Sequence, residues 1–537
     1  MRRKLTAWAL VVCLLAGGLL CGCGDDGGGR GFRFPLDAEP RGLDPQMAID
    51  DAGITVAATL FEGLARLDAE GKAVPGAATW TVSRDGLTYT FTLEESYWSA
   101  QPKAEKDSEW AKPTPVTADD FVFGLQRVVD PKSGSPLAGE LYGIRNAKAV
   151  HSGKTALQHL GVKALDDKRL TITLEKPNKD FPALLATTPF MPCNRQFFTH
   201  TGGRYGLEDI YLITNGPFRL AAWNHDESLL LYKHEDYHAA DEVAPEAVRY
   251  VINPENPMED LATGGLDAAL LSQKPDGGFS GSTLTLEDSV RCLWMNTKVD
   301  PFTLSSVRLA LRDSIEWDEV NAYLTDTAKE QPAAGYVPPA AVVSGSDTYR
   351  RADNALPYKT SPKTARANLK KGERVLEGKV TFELLAADDE SSADLARYIL
   401  QSWQKNLKIY PTLTLVSQQE LKARVVTGNY QAAIYTHTPS GLTGAENLSC
   451  YQSGAVGNLS NLRNGKVNAA IRNAQNGGRT ELTKLEKTLW AAAPAVPLSY
   501  PVRYMGIAPD TQGIVARPFD GGRYSAPLYF REARKWD

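Results

Sequence analysis

The chain has 537 residues, 42% of them hydrophobic and 23% charged, an ordinary globular composition but too long for one core, so two or more packed units are expected. Its 59 basic and 64 acidic residues give a formal charge of -5, which argues against nucleic acid as a partner, because phosphate binding needs a local excess of Lys and Arg. Mean hydropathy is -0.31, and no apolar run after the N-terminus approaches the roughly 20 residues of a spanning helix, so the body is expected to be soluble.

Arg2, Arg3 and Lys4 precede an apolar stretch from Leu5 to Leu20, the pattern of a secretory signal peptide. It closes on Leu20-Cys21-Gly22-Cys23, which resembles a bacterial lipobox with Cys23 as the lipidated residue. Gly24-Asp25-Asp26-Gly27-Gly28-Gly29-Arg30-Gly31 has little to bury and reads as a flexible tether. Acyl chains bury methylenes at about 0.8 kcal/mol each, so several on one Cys make a durable anchor. Loss of residues 1–22 removes three of the 59 cations, leaving 56 against 64 acids, a charge of -8 that disfavours a polybasic membrane contact. Cys13 and Cys21 leave with the signal. Cys193, Cys292 and Cys450 remain in the body, where three thiols cannot all pair and their connectivity stays open.

From Phe32 onward β-rich runs alternate with helical stretches and no fixed repeat appears, an α/β pattern. Leu87 to Leu93, Leu170 to Leu174, Ser228 to Tyr232 and Val380 to Leu384 read as strands. Ala118 to Val129, opened by Thr117 with acids in its first turn, and Ser391 to Leu407 read as helices. Gln101 to Lys112 is charged and Pro-bounded, hence a solvated loop or insertion. Thr480 to Leu489 is an amphipathic helix, stopped by Pro494 and Pro497 before a strand over Val496 to Tyr500 that could return the chain to an earlier unit.

Catalytic patterns are weak. His234-Glu235-Asp236-Tyr237-His238 fits H-E-x-x-H, the zinc-hydrolase pattern in which two His share a helix face and Glu activates water. A strand-like run ends immediately before it, so a turn is the better expectation. Gly278-Phe279-Ser280-Gly281-Ser282 misses the nucleophile elbow at its last position. Asp119-Asp120 and Asp388-Asp389 sit beside helix starts, where charge–dipole stabilisation accounts for them. No enzyme chemistry, cofactor or metal site is expected.

Longer stretches resemble one family. Glu39-Pro40-Arg41-Gly42-Leu43-Asp44-Pro45 is similar to an E-P-x-x-L-D-P opening, and Leu60-Phe61-Glu62-Gly63-Leu64 to L-F-E-G-L. Trp80, Arg84-Asp85-Gly86 and Tyr89-Thr90-Phe91 follow, then Pro115-Val116-Thr117-Ala118-Asp119-Asp120-Phe121-Val122 and Thr214-Asn215-Gly216-Pro217-Phe218 with Trp223. Pro301-Phe302, Val307-Arg308 and Gly335-Tyr336-Val337-Pro338-Pro339 complete the series. In this order and span the chain resembles the oligopeptide-binding class of ABC-importer solute-binding lipoproteins, whose members also include receptors for nickel chelates, haem and glycosides.

That resemblance implies an α/β, two-lobed fold of the periplasmic-binding-protein type II kind with an extra subdomain in the first lobe. The expected division is signal 1–22, tether 23–31, lobe I over 32–63, extra subdomain 64–206, lobe I again over 207–288, lobe II over 289–502 and a lobe I C-terminal segment 503–537. It further implies a lipid-anchored monomer on the outer face of the cytoplasmic membrane, without enzymatic activity, that captures extended oligopeptides between lobes and passes them to a membrane permease. Main-chain hydrogen bonds would supply affinity common to all sequences, and wet side-chain pockets would supply tolerance.

One departure matters. Peptide-binding members carry an Asp, which pairs with the ligand's amino terminus, in the loop that here reads Thr436-His437-Thr438-Pro439-Ser440-Gly441. Ser440 stands where that Asp would be, and Glu446 is the nearest acid. A free peptide amine is therefore either met by Glu446 or absent from the ligand. By position the resemblance nominates Glu39, Pro40 and Arg41 from the opening segment and His437, Thr438 and Ser440 from this loop. His437 in contact with ligand would make binding vary with pH near neutrality. Tyr142 and Trp223 are candidates to stack on ligand, Trp223 with the stronger claim to the core.

Overall fold

Alternation of Phe32, Phe34 and Leu36 with Arg33 and Pro35 buries one face of the first strand, β1 (Gly31–Leu36). The computed structural model describes residues 31–535 apart from 179, 272, 276, 277, 346, 440, 456, 522 and 523, so the signal region, Cys23 and Ser440 lie outside the described residues. Gly31, assigned by composition to the tether, opens β1.

After helix α1 (Asp51–Leu60) the chain forms a small hairpin, β2 (Ala65–Leu67) with β3 (Ala73–Pro75). Next comes the extra subdomain. Its antiparallel sheet contains β4 (Ala78–Val82), β5 (Thr88–Leu93), β6 (Val162–Asp166) and β7 (Arg169–Thr173) in the order β4-β5-β7-β6. Helix α2 (Ala118–Val129) belongs to the same unit; Asp120 reaches back from its first turn to accept hydrogen bonds from Thr117 N at 2.9 Å and Trp98 Nε1 at 3.0 Å. The charged stretch 101–112 is a loop as expected, but Trp110 pins it to the core edge-on against Phe197, ring centroids 5.0 Å apart.

Lobe I resumes with β8 (Phe218–Asn224), β9 (Ser228–Lys233) and β10 (Ala247–Ile252), which join β1 in a sheet ordered β1-β10-β9-β8, with β1 and β10 parallel. Strands β11 (Ala268–Leu271) and β12 (Ser282–Leu286) belong to a second, three-stranded sheet whose middle strand arrives only at residue 503.

Lobe II holds a six-stranded mixed sheet. Its strands are β13 (Val290–Met295), β14 (Gln331–Pro332), β15 (Glu383–Ala387), β16 (Thr412–Val416), β17 (Ala432–His437) and β18 (Ala495–Tyr500), ordered β14-β18-β13-β17-β15-β16. Around it run α3 (Ser305–Asp313), α4 (Pro362–Leu376), α5 (Glu390–Leu407), α6 (Gln418–Thr427), α7 (Gly444–Ser449) and α8 (Gly465–Ala492). β15 begins three residues later than the pattern suggests, because only from Glu383 do β16 and β17 lie alongside it. Helix α8 is interrupted at Gly478 (φ 62°, ψ -159°), and its second half carries the amphipathic stretch 480–489. β18 itself belongs to lobe II; the return to lobe I is made by the next strand, β19 (Arg503–Ile507), which slots between β11 and β12.

Burial sorts along the same lines. One core runs from Phe32 to Leu286 and resumes at Met505, taking in the extra subdomain. The other runs from Val290 to Tyr500 and adds Phe519 from the C-terminal segment. No helix among the described residues is long and apolar enough to cross a membrane.

Candidate ligand-binding cleft

The two cores are joined by two short chain passages, 287–289 and 501–502, and a buried carboxylate ties them together. Asp288 is fully buried and accepts hydrogen bonds from Arg503 Nε at 3.0 Å and Nη2 at 2.5 Å, and from the backbone N–H of Phe519 at 2.8 Å. Ser289 donates to Asp288 Oδ1 at 3.2 Å and shares a 2.8 Å hydroxyl contact with Thr438. The passage into lobe II, the passage out of it and the loop after β17 are thus parts of one hydrogen-bonded hinge. Nothing in the sequence marks Asp288, which follows an ordinary strand.

Facing segments leave the ends of β1 and β17. From lobe I come residues 37–41 and the first turn of α1; from lobe II come Tyr435 to Thr438 and α6. Lys422 of α6 reaches across to Asp51 of α1, Nζ to Oδ2 3.4 Å. Partial burial opposes the Lys422 charge, but Asp51, Tyr435 and Asp37 around it more than offset that and raise its affinity for the proton. A second crossing lies at the β2–β3 turn, where a Cβ on Gly71 (φ 78°) would stand 3.2 Å from Leu442 Cδ1 of lobe II. Lys422, Asp51 and Asp37 were not legible beforehand, since a Lys on an exposed helix and acids in a loop and a first turn are unremarkable in sequence.

Among the nominated residues, Glu39 is committed to lobe I. Its Oε1 accepts from Trp223 Nε1 at 2.8 Å and contacts His225 Nδ1 at 2.7 Å, and its Oε2 accepts from Asp226 N at 3.1 Å. His225 also meets Glu208 at 3.0 Å, and these two carboxylates raise its affinity for the proton, Glu208 first. Trp223 is correspondingly nearly buried. Pro40 is buried and Arg41 is exposed at the lobe I rim. Tyr142 stands in the extra subdomain, its hydroxyl 2.6 Å from His151 Nδ1.

On lobe II, His437 ends β17 with its ring edge-on to Trp294, centroids 5.8 Å apart. Its Nε2 is shut away from solvent and has no hydrogen-bond partner among the described residues. Burial pushes the imidazole down to about 4, so it is neutral at pH 7 and titrates in acid rather than near neutrality. Thr438 is held by the hinge contact to Ser289. Glu446 is exposed at the third position of α7, where its Oε2 accepts from Thr443 N at 2.8 Å and Oγ1 at 2.9 Å in a capping box. The structure therefore brings Asp37 and Asp51 of lobe I close to Lys422 and Tyr435 of lobe II, holds Glu39 within lobe I and His437 against Trp294, keeps Tyr142 in the subdomain and gives Glu446 a local task.

The H-E-x-x-H segment is a turn. His234 is buried with Nδ1 3.1 Å from Gly216 O, while His238 Nε2 lies 2.6 Å from Glu62 Oε2, so the two rings do not share a helix face. Glu62 also accepts from the Tyr237 hydroxyl and lies 3.7 Å from Arg531, which makes this a buried fold-closing cluster. Cys193, Cys292 and Cys450 are all free thiols.

A family model described as bacterial extracellular solute-binding proteins, family 5 Middle, matches residues 72–458, well over half of the chain. The chain belongs to this family. Family 5 members are solute-binding proteins rather than enzymes, and the two-lobed α/β architecture with its extra subdomain is theirs. The chain is 29% identical over 440 residues to the oligopeptide-binding protein OppA of Bacillus subtilis (strain 168), covering 75% of this chain and 76% of that protein. It is 28% identical over 512 residues to the periplasmic murein peptide-binding protein MppA of Escherichia coli (strain K12), covering 91% of each. Among solved structures, the substrate-binding domain of an oligopeptide ABC transporter from Bacillus anthracis str. Ames superposes with a TM-score of 0.76 at 26% identity, over 95% of this chain and 99% of that one.

Proposed function

We propose that this chain is the extracellular receptor subunit of an ABC importer, holding an oligopeptide in extended form between its lobes and handing it to a membrane permease. The observation that carries the reading is the hinge at Asp288: two short connecting passages and one buried ion pair, with Lys422 of lobe II reaching Asp51 of lobe I across the gap between them. An extended ligand lying there can pair its backbone with the chain segments beside it, so affinity arises from groups every peptide has. Closure about the hinge would bury the ligand and present the closed form to the permease. The names of the B. subtilis and E. coli relatives support a peptide as the solute. The division 1–22, 23–31 and the lobes as set out above, with Cys23 lipidated and the body held as a monomer outside the cytoplasmic membrane, completes this reading. Arg41, Pro40 and Glu39 would line one wall and His437, Thr438 and Ser440 the other, with Tyr142 set back in the extra subdomain.

A second reading, a non-peptide solute such as a metal chelate, haem or glycoside, is favoured by one observation. No acid stands in the loop 436–441, and Oε2 of Glu446 already serves the Thr443 cap, so a buried ammonium would lack a partner and several kcal/mol would be forfeited. Native mass spectrometry of protein purified from its own cells separates the two. A heterogeneous set of short peptides released on denaturation supports the first reading, and one defined small molecule replaces it with the second. X-ray scattering that shows no compaction with any peptide would reject the closing-lobe mechanism, and a Cys23→Ala protein that stays with membranes would reject the anchor.

A further inference from the structure

Outside the cleft, lobe I contains a cavity of about 120 Å³ between the β2–β3 hairpin and the C-terminal segment. Phe61, Met191, Phe218, Leu528 and Phe530 supply apolar wall, and three guanidinium groups, from Arg66, Arg517 and Arg531, share it with one buried carboxylate, Glu62. Two of these cations are answered. Arg531 lies 3.7 Å from Glu62 and 3.3 Å from Glu242, and Arg66 lies 3.5 Å from Glu242. Arg517 is different. It is only 7% exposed, yet among the described residues no carboxylate stands within ion-pair distance of it, and its only side-chain hydrogen bonds run from Nη2 to the carbonyls of Leu67 and Asp68. Its Nε is buried without an acceptor, and the face of Tyr529 at 5.1 Å is its remaining support.

The contrast with Arg308 shows what a self-sufficient buried arginine looks like in this protein. Arg308 is also buried without a carboxylate, but all three of its nitrogens donate to carbonyls, of Phe302, Thr303 and Ala492. Arg517 uses one nitrogen of three. Burial depresses the proton affinity of both arginines to about 10, so what sets Arg517 apart is its unused hydrogen-bonding capacity. Buried charges are as a rule paired, and an uncompensated one is strongly unfavourable.

We propose that this cavity is a binding site for a small organic monocarboxylate, its carboxylate on Arg517 and its apolar body against Phe61, Met191, Phe218 and Phe530. The enclosed volume is below the roughly 150 Å³ of an apolar cavity that accepts benzene, so that body is at most one ring, part of which lies in the open mouth of the cavity. A doubly charged phosphate is disfavoured, because Asp68, Glu70, Glu242 and Glu532 line the adjoining depression and repel higher negative charge.

Titration calorimetry of the purified protein with benzoate, and with benzamide as its uncharged counterpart, tests the site. Benzoate binds saturably and benzamide does not; Arg517→Gln weakens benzoate about thirtyfold or more, and Ala526→Phe, which fills the cavity without touching a charge, abolishes binding. Crystals soaked in 3-bromobenzoate give an anomalous bromine peak beside Arg517, a readout that stands even when a variant fails to fold. Equal binding of benzamide, an unchanged affinity in folded Arg517→Gln, no saturable binding, or a bromine peak only between the lobes overturns the proposal. The interlobe receptor reading is untouched by any of these results.

Discussion

Replacing His437 by Phe removes the one ring that burial at the end of β17 holds far below its ordinary proton affinity. The imidazole falls from 6.5 to about 4 in the fold. A base whose folded value is depressed stabilises in full above its unfolded value, and that contribution is lost as pH falls toward the folded value. Between pH 6.5 and 4 the unfolded chain binds this proton and the native one does not. At 1.36 kcal/mol per pH unit the whole shift is worth about 3 kcal/mol, of which about 2.5 kcal/mol disappears between pH 7.5 and 4.5. Urea unfolding at those two pH values, followed by tryptophan fluorescence, to which Trp294 packed against His437 contributes, reads the loss. Other groups cancel in the difference between wild type and His437→Phe. Asp120 is one of them: burial lifts its carboxyl to about 6, so its stabilising effect is present in acid and is lost as pH rises through that value. The variant is expected to be less acid-sensitive by about 2.5 kcal/mol. Parallel losses in the two proteins, or an imidazole resonance that titrates at its ordinary value, would refute the argument from burial.

Asp288→Asn should destabilise the protein by about 3 kcal/mol, since Arg503 loses a bidentate carboxylate in a buried setting; an unchanged calorimetric transition would show that the ion pair is dispensable to the hinge. Glu486 is 1% exposed and accepts from Tyr336 N, Val337 N, the Tyr349 hydroxyl and Arg350. Glu486→Gln sets a donor against these donors, and a loss of about 3 kcal/mol lowers the lobe II melting temperature by roughly 6–12 °C in a scan. Glu446→Gln keeps the α7 cap and Glu446→Ala loses about 1 kcal/mol of it. If Glu446 only caps, both variants bind free and N-acetylated peptides as wild type does, whereas a selective loss for free amines in Glu446→Gln would make it the amine partner.

The segments that were legible in the sequence are those that build the frame. Asp44 of the opening motif is buried against Arg127 of α2, Oδ2 to Nη2 2.5 Å, and so ties the first segment to the extra subdomain. Glu62 and Asn215, from two separate motifs, close on one another through Asn215 Nδ2 to Glu62 O at 2.9 Å and Glu62 N to Asn215 Oδ1 at 3.2 Å. Gly63 between them admits no side chain, because a Cβ there would stand 1.9 Å from Leu185 O. Such residues have one workable identity each, and that fixed identity is what a motif displays. Strands such as β5 and β7 were legible for a related reason, their period-two burial. The cleft was much less so. Lys422 and Asp51 meet only because α6 and α1 approach through the tertiary fold, and Asp288 acquires its role from Arg503, 215 residues away. The first half of α8 was missed because Asn and Gly crowd residues 464–478, and packing overrides their weak helix propensity.

The position of β19 bears on the order in which the molecule can be assembled. Lobe II is one unbroken stretch of chain, so every strand of its six-stranded sheet exists once Tyr500 has been made. The three-stranded sheet of lobe I, in contrast, waits with β11 and β12 unjoined until Arg503–Ile507 enters between them. A chain emerging from its N-terminus can therefore finish its second half before its first. Loss of the last 35 residues would leave lobe II with a complete sheet and lobe I open along its middle, with two unpaired edges available for wrong partners.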